Sequence, residues 1–340
     1  MSARWLFPSP IDSALAGRLA HEFGLPRFVA ELLVRRGLHE PANAGRFLQP
    51  RLKSLGDPFA LPQMAAAVER ILAALDRGER IVLFGDYDVD GVTSLALLTR
   101  VLRALGSEPA CFLPSRADEG YGLSDDGVAR CVGTLAPQLL IAVDCGTSSV
   151  AEIARLQAQG VDVIVIDHHE NQDTLPACVA LVNPKLGADF HYLCSAGLAF
   201  KLAHALLKRR PLAGFDLRET LDLVALGTVC DLVPLIDENR VLVRRGIAQL
   251  TQTKWTGLRC LLEVSALNPP LTPATIGFGL GPRLNAAGRL GTAQVALELL
   301  LTEDEPRARE LAASLDAQNR ERRAVEEDVF RQAEAQLAEW

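Results

Sequence analysis

Five short apolar runs alternate with helix-length segments between residues 81 and 183, and this pattern constrains the fold most strongly. Segments with apolar residues at helical spacing lie between the runs, around 92–105, 123–133 and 148–159. Strands that are apolar throughout are buried on both faces, so the pattern predicts an α/β fold, with a mostly parallel sheet and helices on both faces. The runs are IVLFG (81–85), ACFLP (110–114), LLIAVD (139–144), VDVIVID (161–167) and VALVN (179–183).

The segments on either side of this pattern are helical in character. Residues 1–75 contain seven prolines between helical stretches, which predicts an N-terminal helical segment before a domain that spans 76–300. Residues 301–340 form one long charged pattern with a thin apolar stripe, and such a helix usually bridges domains. We therefore interpret 301–340 as an interdomain linker helix. Because the chain stops on it, we expect a C-terminally truncated protein whose following domains are absent.

Composition narrows the possible classes of protein. No apolar run is long enough to span a bilayer, and the N-terminus lacks the apolar core of a signal peptide, so we expect a cytoplasmic protein without a membrane partner. The seven cysteines are scattered without a C-x-x-C pair, which predicts buried free thiols and argues against zinc bound through cysteine. A net charge of −7 argues against indiscriminate nucleic-acid binding but permits a local basic groove.

The first apolar run leads into an acidic loop, IVLFGDYDVDGVTS (81–94), with Asp86, Asp88 and Asp90 at alternate positions. The spacing resembles a calcium-binding EF-hand loop, but the twelfth position is Leu97 instead of glutamate and a strand, not a helix, comes before the loop. A plain helix cap would need only one aspartate. Three would repel one another without a cation, so the loop predicts a metal site.

Other acidic residues end further strands of the predicted sheet. Asp144 ends the third run, and Asp167 ends the fourth and is followed by His168 and His169. Ligands of parallel sheets bind at the carboxyl ends of the strands, so these side chains should meet at one edge. Asp231, inside the apolar stretch ALGTVCDLVPL, also needs a compensating cation. Carboxylates with imidazole and no thiolate favour Mn²⁺ or Mg²⁺. Several carboxylates allow two ions, and such a pair suits hydrolysis of a phosphoester or phosphoanhydride.

Phosphate also requires cationic partners. The segment GFGLGPRLNAAGRLG (277–291) offers Arg283, Asn285 and Arg289 among small residues that permit close approach, although a glycine-rich turn with surface arginines would have the same sequence. Arg116 and Tyr121 in LPSRADEGYGLSDDG (113–127) are possible DNA contacts, through phosphate and base stacking.

Simpler roles are predicted for several neighbouring residues. Ser124 is a helix N-cap, and Ser149 with Glu152 fits a capping box. Asp237 and Glu238 are expected to be solvated in a polar turn, and Leu311, Leu315, Val325, Val329 and Trp340 to form an exposed stripe on the last helix.

Together the motifs GDYDVDGVTS, PSRADEGYGLS, VDCGTSS, DHHE, GTVCDLVPL and GPRLNAAGRLG resemble the DHH phosphoesterase superfamily, from about residue 25 onward. Within it, the chain is most similar to the bacterial exonucleases that are specific for single-stranded DNA. The resemblance implies that His169 contacts the scissile phosphate or acts as an acid, with Asp167 as a second catalytic residue, and that Arg283, Asn285 and Arg289 bind phosphate. The implied metal ligands are Asp86, Asp88, Asp90, Asp144, His168 and Asp231; which of the first three bind directly is left open.

The resemblance implies a two-metal exonuclease that degrades single-stranded DNA from the 5′ end in repair and recombination. A single-strand-binding protein or a helicase is a possible partner. Two alternatives stay open: a DHH phosphoesterase for small substrates (pyrophosphate, oligonucleotides or cyclic dinucleotides), and a non-catalytic DHH scaffold that binds DNA or replication proteins.

Overall fold

The structure is a computed structural model that describes residues 9–115, 119–120, 122–290 and 292–338. The side chains of Arg289, Leu290 and Ala338 are outside this description. The chain divides into two compact units, Met1–Leu55 and Gly56–Trp340. Among the described residues, no helix is both long enough and apolar enough to cross a membrane.

Three short α-helices with a small apolar core, followed by a 3₁₀ turn at Leu52–Ser54, form most of the described part of the first unit. Asp12 caps the first helix, because its carboxylate accepts hydrogen bonds from the backbone N–H groups of Ala14 and Leu15. Pro26 immediately precedes the second helix and Pro41 begins the third, positions where proline costs no intrahelical hydrogen bond. The helices are α1 (Ser13–Phe23), α2 (Arg27–Arg35) and α3 (Pro41–Leu48).

The second unit contains one five-stranded sheet, and every pair of neighbouring strands is parallel. All five strands lie within the apolar runs, so the predicted α/β fold is confirmed, and the sheet is wholly parallel. The strands are β1 (Ile81–Phe84), β2 (Ala110–Phe112), β3 (Leu139–Val143), β4 (Asp162–Ile166) and β5 (Ala180–Val182).

The strand order is β2-β1-β3-β4-β5, which makes β1 and β3 neighbours. From β1 the chain crosses to β2 on one side, and it then continues through β3, β4 and β5 on the other. The gap beyond the carboxyl ends of β1 and β3 is therefore the topological switch point, where parallel sheets bind ligands.

Helices pack against the strands of the sheet, and the described chain after β5 is helical apart from its connecting loops. The segment α5 is buried from Val89 to Leu102, as expected for a helix that is covered on all sides, and it packs against α8, α9 and α13. The helices of this unit are α4 (Met64–Arg77), α5 (Val89–Ala104), α6 (Asp125–Leu135), α7 (Val150–Ala158), α8 (Ser195–Arg209), α9 (Leu221–Cys230), α10 (Asp237–Leu250), α11 (Thr256–Val264), α12 (Gly281–Leu290), α13 (Gln294–Leu301) and α14 (Glu305–Ala338), with a π-helical segment, Thr275–Leu280, before α12.

Local capping follows the prediction at one helix and departs from it at another. Ser124 caps α6, because its hydroxyl accepts a hydrogen bond from the backbone N–H of Gly127. The predicted capping box at α7 is wrong: Ser149 makes no capping hydrogen bond, and Glu152 lies 3.4 Å from Arg155.

The prediction of a solvated Glu238 is also wrong. Its carboxylate lies 2.6 Å from the ammonium of Lys201, which is fully buried, and it accepts a hydrogen bond from the backbone N–H of Gly56. The same ammonium donates to the backbone carbonyl of Gly56 and lies over the ring of Phe190. Glu238 thus neutralises a buried cation that comes from a helix 37 residues earlier.

The last helix has two distinct halves. Leu311 and Leu315 are buried where α14 packs against α11, α12 and α13, so the prediction that they are exposed is wrong. Val325 and Val329 are more than half exposed, as predicted. Trp340 lies outside the described residues. The cysteines are all free thiols, and four of the seven are buried.

Candidate metal centre

The acidic loop after β1 supplies one helix cap and two buried carboxylates. Asp88 is the N-cap of α5, and its Oδ1 accepts a hydrogen bond from the backbone N–H of Gly91 at 3.0 Å. Asp86 and Asp90 are both almost completely buried. One aspartate therefore performs the simple capping role, and the other two need a different explanation.

The N-terminus of α8 orients the carboxylates of Asp90 and Asp144. Asp90 accepts hydrogen bonds from the backbone N–H groups of Ser195 and Ala196, at 2.7 and 2.9 Å. Asp144 has a left-handed backbone (φ 65°), and its Oδ1 accepts a hydrogen bond from the Ser195 hydroxyl at 2.9 Å. Sequence reasoning missed Ser195, because only its position at the start of a helical pattern marks it.

His168 lies at the centre of the acidic cluster. Its Nε2 is 3.4 Å from Asp144, 3.6 Å from Asp231 and 3.8 Å from Asp90. This nitrogen and Oδ2 of Asp231 are buried and have no hydrogen-bond partner among the described residues. Buried polar atoms without partners are costly, and a cation among them would satisfy both.

Among the residues that the structure describes, three groups of side chains can each hold a metal ion, because the ligand atoms of each group lie within 4.8 Å of one another. Asp144 and His168 each belong to two groups, and the two oxygens of the Asp144 carboxylate would allow it to serve both ions, whereas a neutral imidazole has one free lone pair and would bind one. Oxygen and imidazole donors without thiolate fit Mn²⁺ or Mg²⁺. The groups are Asp86 with Asp88 and Asp144, Asp90 with His168 and Asp231, and Asp144 with His168 and His169.

The electrostatics of the cluster also favour a cation. Burial, together with the charges of Asp231 and Asp88, raises the pKa of Asp90 to about 8. Burial, then the neighbouring carboxylates, raises the pKa of Asp144 well above its usual value. Burial lowers the pKa of His168 to about 4, which keeps its imidazole neutral and able to bind a metal. A bound divalent ion would offset the cost of ionising these carboxylates.

Asp167 is absent from these groups and instead orients the adjacent histidines. Its Oδ1 accepts hydrogen bonds from the backbone N–H groups of His168 and His169 and lies 2.7 Å from Nδ1 of His169, while its Oδ2 accepts from the backbone N–H of Thr147. Burial opposes ionisation of Asp167, but the hydrogen bonds from His169 and Thr147 lower its pKa below the usual value. The hydrogen bond to Asp167 raises the pKa of His169.

Asn183, at the end of β5, holds this loop in place. Its amide donates to the backbone carbonyl of His169 and to the hydroxyl of Thr147, at 2.9 and 3.1 Å. Sequence reasoning missed this role, although a polar residue that ends an apolar strand was a visible signal.

Arg283 and Asn285, two of the residues predicted to bind phosphate, lie on different faces of α12. Asn285 accepts a hydrogen bond from the backbone N–H of Val89, and a Cβ on Gly288 would lie 2.7 Å from the carbonyl oxygen of Tyr87, so this face meets the acidic loop. Arg283 is two residues from Asn285, about 200° around the helix. It pairs with Asp316 of α14 at 2.9 Å and donates to the carbonyl of Gly279.

Arg283 therefore connects α12 to α14 on the side away from the acidic loop, whereas Asn285 contacts the loop directly. The side chain of Arg289 and the residues Arg116 and Tyr121 lie outside the described part of the chain. Their predicted DNA contacts stay predictions.

Comparison with known proteins places this arrangement in a family. Residues 80–228 match the model of the DHH family, N-terminal domain. The single-stranded-DNA-specific exonuclease RecJ of Bacillus subtilis (strain 168) is 39% identical over 326 residues, which cover 95% of this chain and 40% of that protein. The chain spans about half the length of the curated relatives that it matches.

Solved structures agree with the sequence comparison. A crystal structure of exonuclease RecJ bound to manganese is 39% identical with a TM-score of 0.76, and the match covers 83% of this chain and 71% of that one. RecJ from Thermus thermophilus in complex with Mn²⁺ is 34% identical with a TM-score of 0.81, over 94% of this chain and 46% of that one. The buried Asp–His cluster at the switch point and these similarities lead to one conclusion: the chain belongs to the DHH family, within its RecJ group.

Proposed function

We propose that this chain carries the catalytic centre of a metal-dependent exonuclease that hydrolyses single-stranded DNA in the 5′ to 3′ direction, in repair and recombination. The observation that carries the proposal is the buried Nε2 of His168, which lies among three carboxylates. This nitrogen has no hydrogen-bond partner among the described residues. A divalent cation suits these atoms, and related RecJ proteins have been solved with Mn²⁺ and with Mg²⁺.

The ligand atoms would hold two Mn²⁺ or Mg²⁺ ions. When bound, such ions activate water at neutral pH and stabilise charge on the phosphoryl oxygens. The chain itself fixes the ligands before substrate arrives, because the N-terminus of α8 holds both Asp90 and Asp144. The proposed ligands are Asp86, Asp88, Asp90, Asp144, His168 and Asp231.

His169 is the proposed acid or phosphate contact, oriented by Asp167. The Asp167 carboxylate fixes Nδ1 of His169 and raises the pKa of its imidazole, so His169 keeps its proton to a higher pH than an ordinary histidine does. The side chain of His169 is 45% exposed, whereas that of His168 is 13% exposed, so His169 is the more accessible to a substrate. His169 also belongs to one possible metal group, and substitution of each histidine in turn separates the two roles.

The remaining parts of the proposal concern DNA and protein contacts. The residues proposed to contact DNA are Asn285, Arg289, Arg116 and Tyr121. Arg283 is proposed either to bind phosphate or to hold α12 in place through its ion pair with Asp316 of α14. Residues 301–340 are proposed to link the catalytic domain, 76–300, to further domains, and 1–75 to form an N-terminal segment. We propose a cytoplasmic location and a single-strand-binding protein or a helicase as partner.

A digestion assay tests the function. Single-stranded DNA labelled at the 5′ end, the matching duplex and pyrophosphate are each incubated with the chain and Mn²⁺, with and without a chelator. We expect hydrolysis of the single strand only, release of the label as a mononucleotide, and complete loss of activity with the chelator.

Two aspartate variants test whether the activity depends on the buried carboxylates of the metal centre. Asp144→Ala should abolish hydrolysis, whereas Asp126→Ala removes an exposed carboxylate of α6 and should leave the rate unchanged. Preferential hydrolysis of pyrophosphate would favour the small-substrate phosphoesterase. Binding of DNA without any hydrolysis would favour the scaffold.

A further inference from the structure

A cavity of about 200 Å³ opens beside the metal centre, among the end of α9, the π-helical segment, α12 and α14. Drug-sized ligands occupy pockets of about 300 Å³ or more, so this cavity suits a smaller group that is part of a larger substrate. Two glycines and six larger residues line it: Val229, Cys230, Leu232, Pro282, Asn285 and Arg322.

The cavity lies next to the proposed catalytic site. Cys230 and Leu232 lie on either side of Asp231 in the sequence, and Asp231 belongs to a possible metal group. Asn285, which also lines the cavity, accepts its hydrogen bond from the backbone N–H of Val89, between Asp88 and Asp90. A nucleotide whose phosphate lies at the metal centre would therefore have the cavity next to it.

Leu232 is the least expected residue of the wall. Its backbone is left-handed (φ 61°), a conformation unfavourable for leucine, and its side chain is 87% exposed. The backbone of Leu232 is therefore strained, and its apolar side chain is largely exposed to solvent at the edge of the cavity. Strain of this kind is concentrated at sites that bind ligands.

Arg322 supplies the cationic side of the cavity. It comes from α14, and its guanidinium donates to Glu326 at 2.7 Å and to Asn319 at 3.4 Å, so its plane is held by neighbours on its own helix. A planar guanidinium and apolar side chains that line one cavity can recognise the face and edge of a nucleobase, which a compact ammonium would not reproduce.

We infer that this cavity binds a nucleobase of the strand whose phosphate lies at the metal centre, with Leu232 as its apolar wall and Arg322 as its planar cationic wall. The inference rests on the proposed function and adds a positioning site to it. A base held here fixes the adjacent sugar and phosphate relative to the metal ligands, so the cavity contributes to substrate binding without taking part in the chemistry.

The test compares two strands of equal length in the presence of Mn²⁺: oligothymidylate, and a strand of sugars and phosphates without bases. Leu232→Gly removes the side chain and keeps a residue that accepts the left-handed backbone. We expect its KM for oligothymidylate to rise roughly tenfold, which is less than full burial of a leucine would give. Its KM for the abasic strand should change less than twofold, and kcat on both strands should be nearly constant.

Two further variants separate recognition of the base from a general loss of strand binding. Phe278→Ala removes an exposed apolar side chain of the neighbouring π-helical segment that is not part of the cavity wall, and it should behave as the wild type on both strands. Arg322→Lys keeps the charge and loses the plane, so it should weaken binding of oligothymidylate more than binding of the abasic strand. Calorimetric Mn²⁺ affinity should be unchanged in all three variants.

Equal losses on both strands for Leu232→Gly, or no loss on either, would overturn the nucleobase site while the wild-type activity upheld the proposed function. If the wild type hydrolysed neither strand, the proposed function would fail, and this inference with it.

Discussion

The substitution Gly227→Ala tests whether packing between α8 and α9 holds the metal centre in shape. A Cβ on Gly227 would lie 2.5 Å from Cβ of Ala196, 2.6 Å from Oδ1 of Asp90 and 2.7 Å from the hydroxyl of Thr93. Ordinary contacts of a Cβ begin near 3.4 Å, so the neighbours must move by up to 0.9 Å (3.4 − 2.5). Ala196 and Asp90 are joined by a hydrogen bond, so both are displaced together.

Gly227→Ala should lower both the stability of the chain and its affinity for Mn²⁺. Overpacking of a core typically costs about 1–3 kcal/mol, and alanine in place of a helical glycine returns about 0.5–1 kcal/mol. We expect a net loss of about 0–2.5 kcal/mol in the free energy of unfolding. Displacement of groups that orient a metal ligand typically lowers affinity about 10–100-fold, and we expect that loss for Mn²⁺.

Urea unfolding and calorimetric titration with Mn²⁺ measure the two effects. The matched control is Gly133→Ala in α6, where an added Cβ meets no atom within 4 Å. The control should gain about 0.5–1 kcal/mol in stability and bind Mn²⁺ as the wild type does. If Gly227→Ala bound Mn²⁺ within twofold of Gly133→Ala, the packing would not position Asp90, and the reasoning would be refuted.

Three further predictions concern the cluster and the buried ion pair. His168→Ala should lower Mn²⁺ affinity, whereas His169→Ala should keep the affinity and lose rate; calorimetry that gives equal affinities would contradict this division. Asp231→Ala should abolish hydrolysis at saturating Mn²⁺ without unfolding the chain, because it relieves repulsion between carboxylates, and wild-type turnover would remove Asp231 from the metal centre. Glu238→Ala should lower the free energy of unfolding in urea by about 3–5 kcal/mol, because it leaves the buried ammonium of Lys201 without its ion pair. A second substitution, Lys201→Met, in the same chain should recover most of that loss.

The sequence by itself determined the parallel sheet and the edge at which the acidic residues meet. Strands buried on both faces are apolar throughout, and their separation by helix-length segments specifies crossover connections. The positions of Asp86, Asp144 and Asp167 relative to their strands follow from the same pattern. These signals are local in the chain, because each depends on a window of a few residues, and the five strands were accordingly found where they were predicted.

Only the tertiary structure decided how distant segments orient the site. Strand order made β1 and β3 neighbours, and the N-terminus of α8, more than 100 residues after Asp90, fixed Asp90 and Asp144 together. Arg283 pairs with Asp316 and Glu238 with Lys201, although periodicity marked neither pair. The physical reason is that periodicity records which face of an element is buried, whereas the partner on that face is chosen by the packing of the whole unit and the pairing of its buried charges.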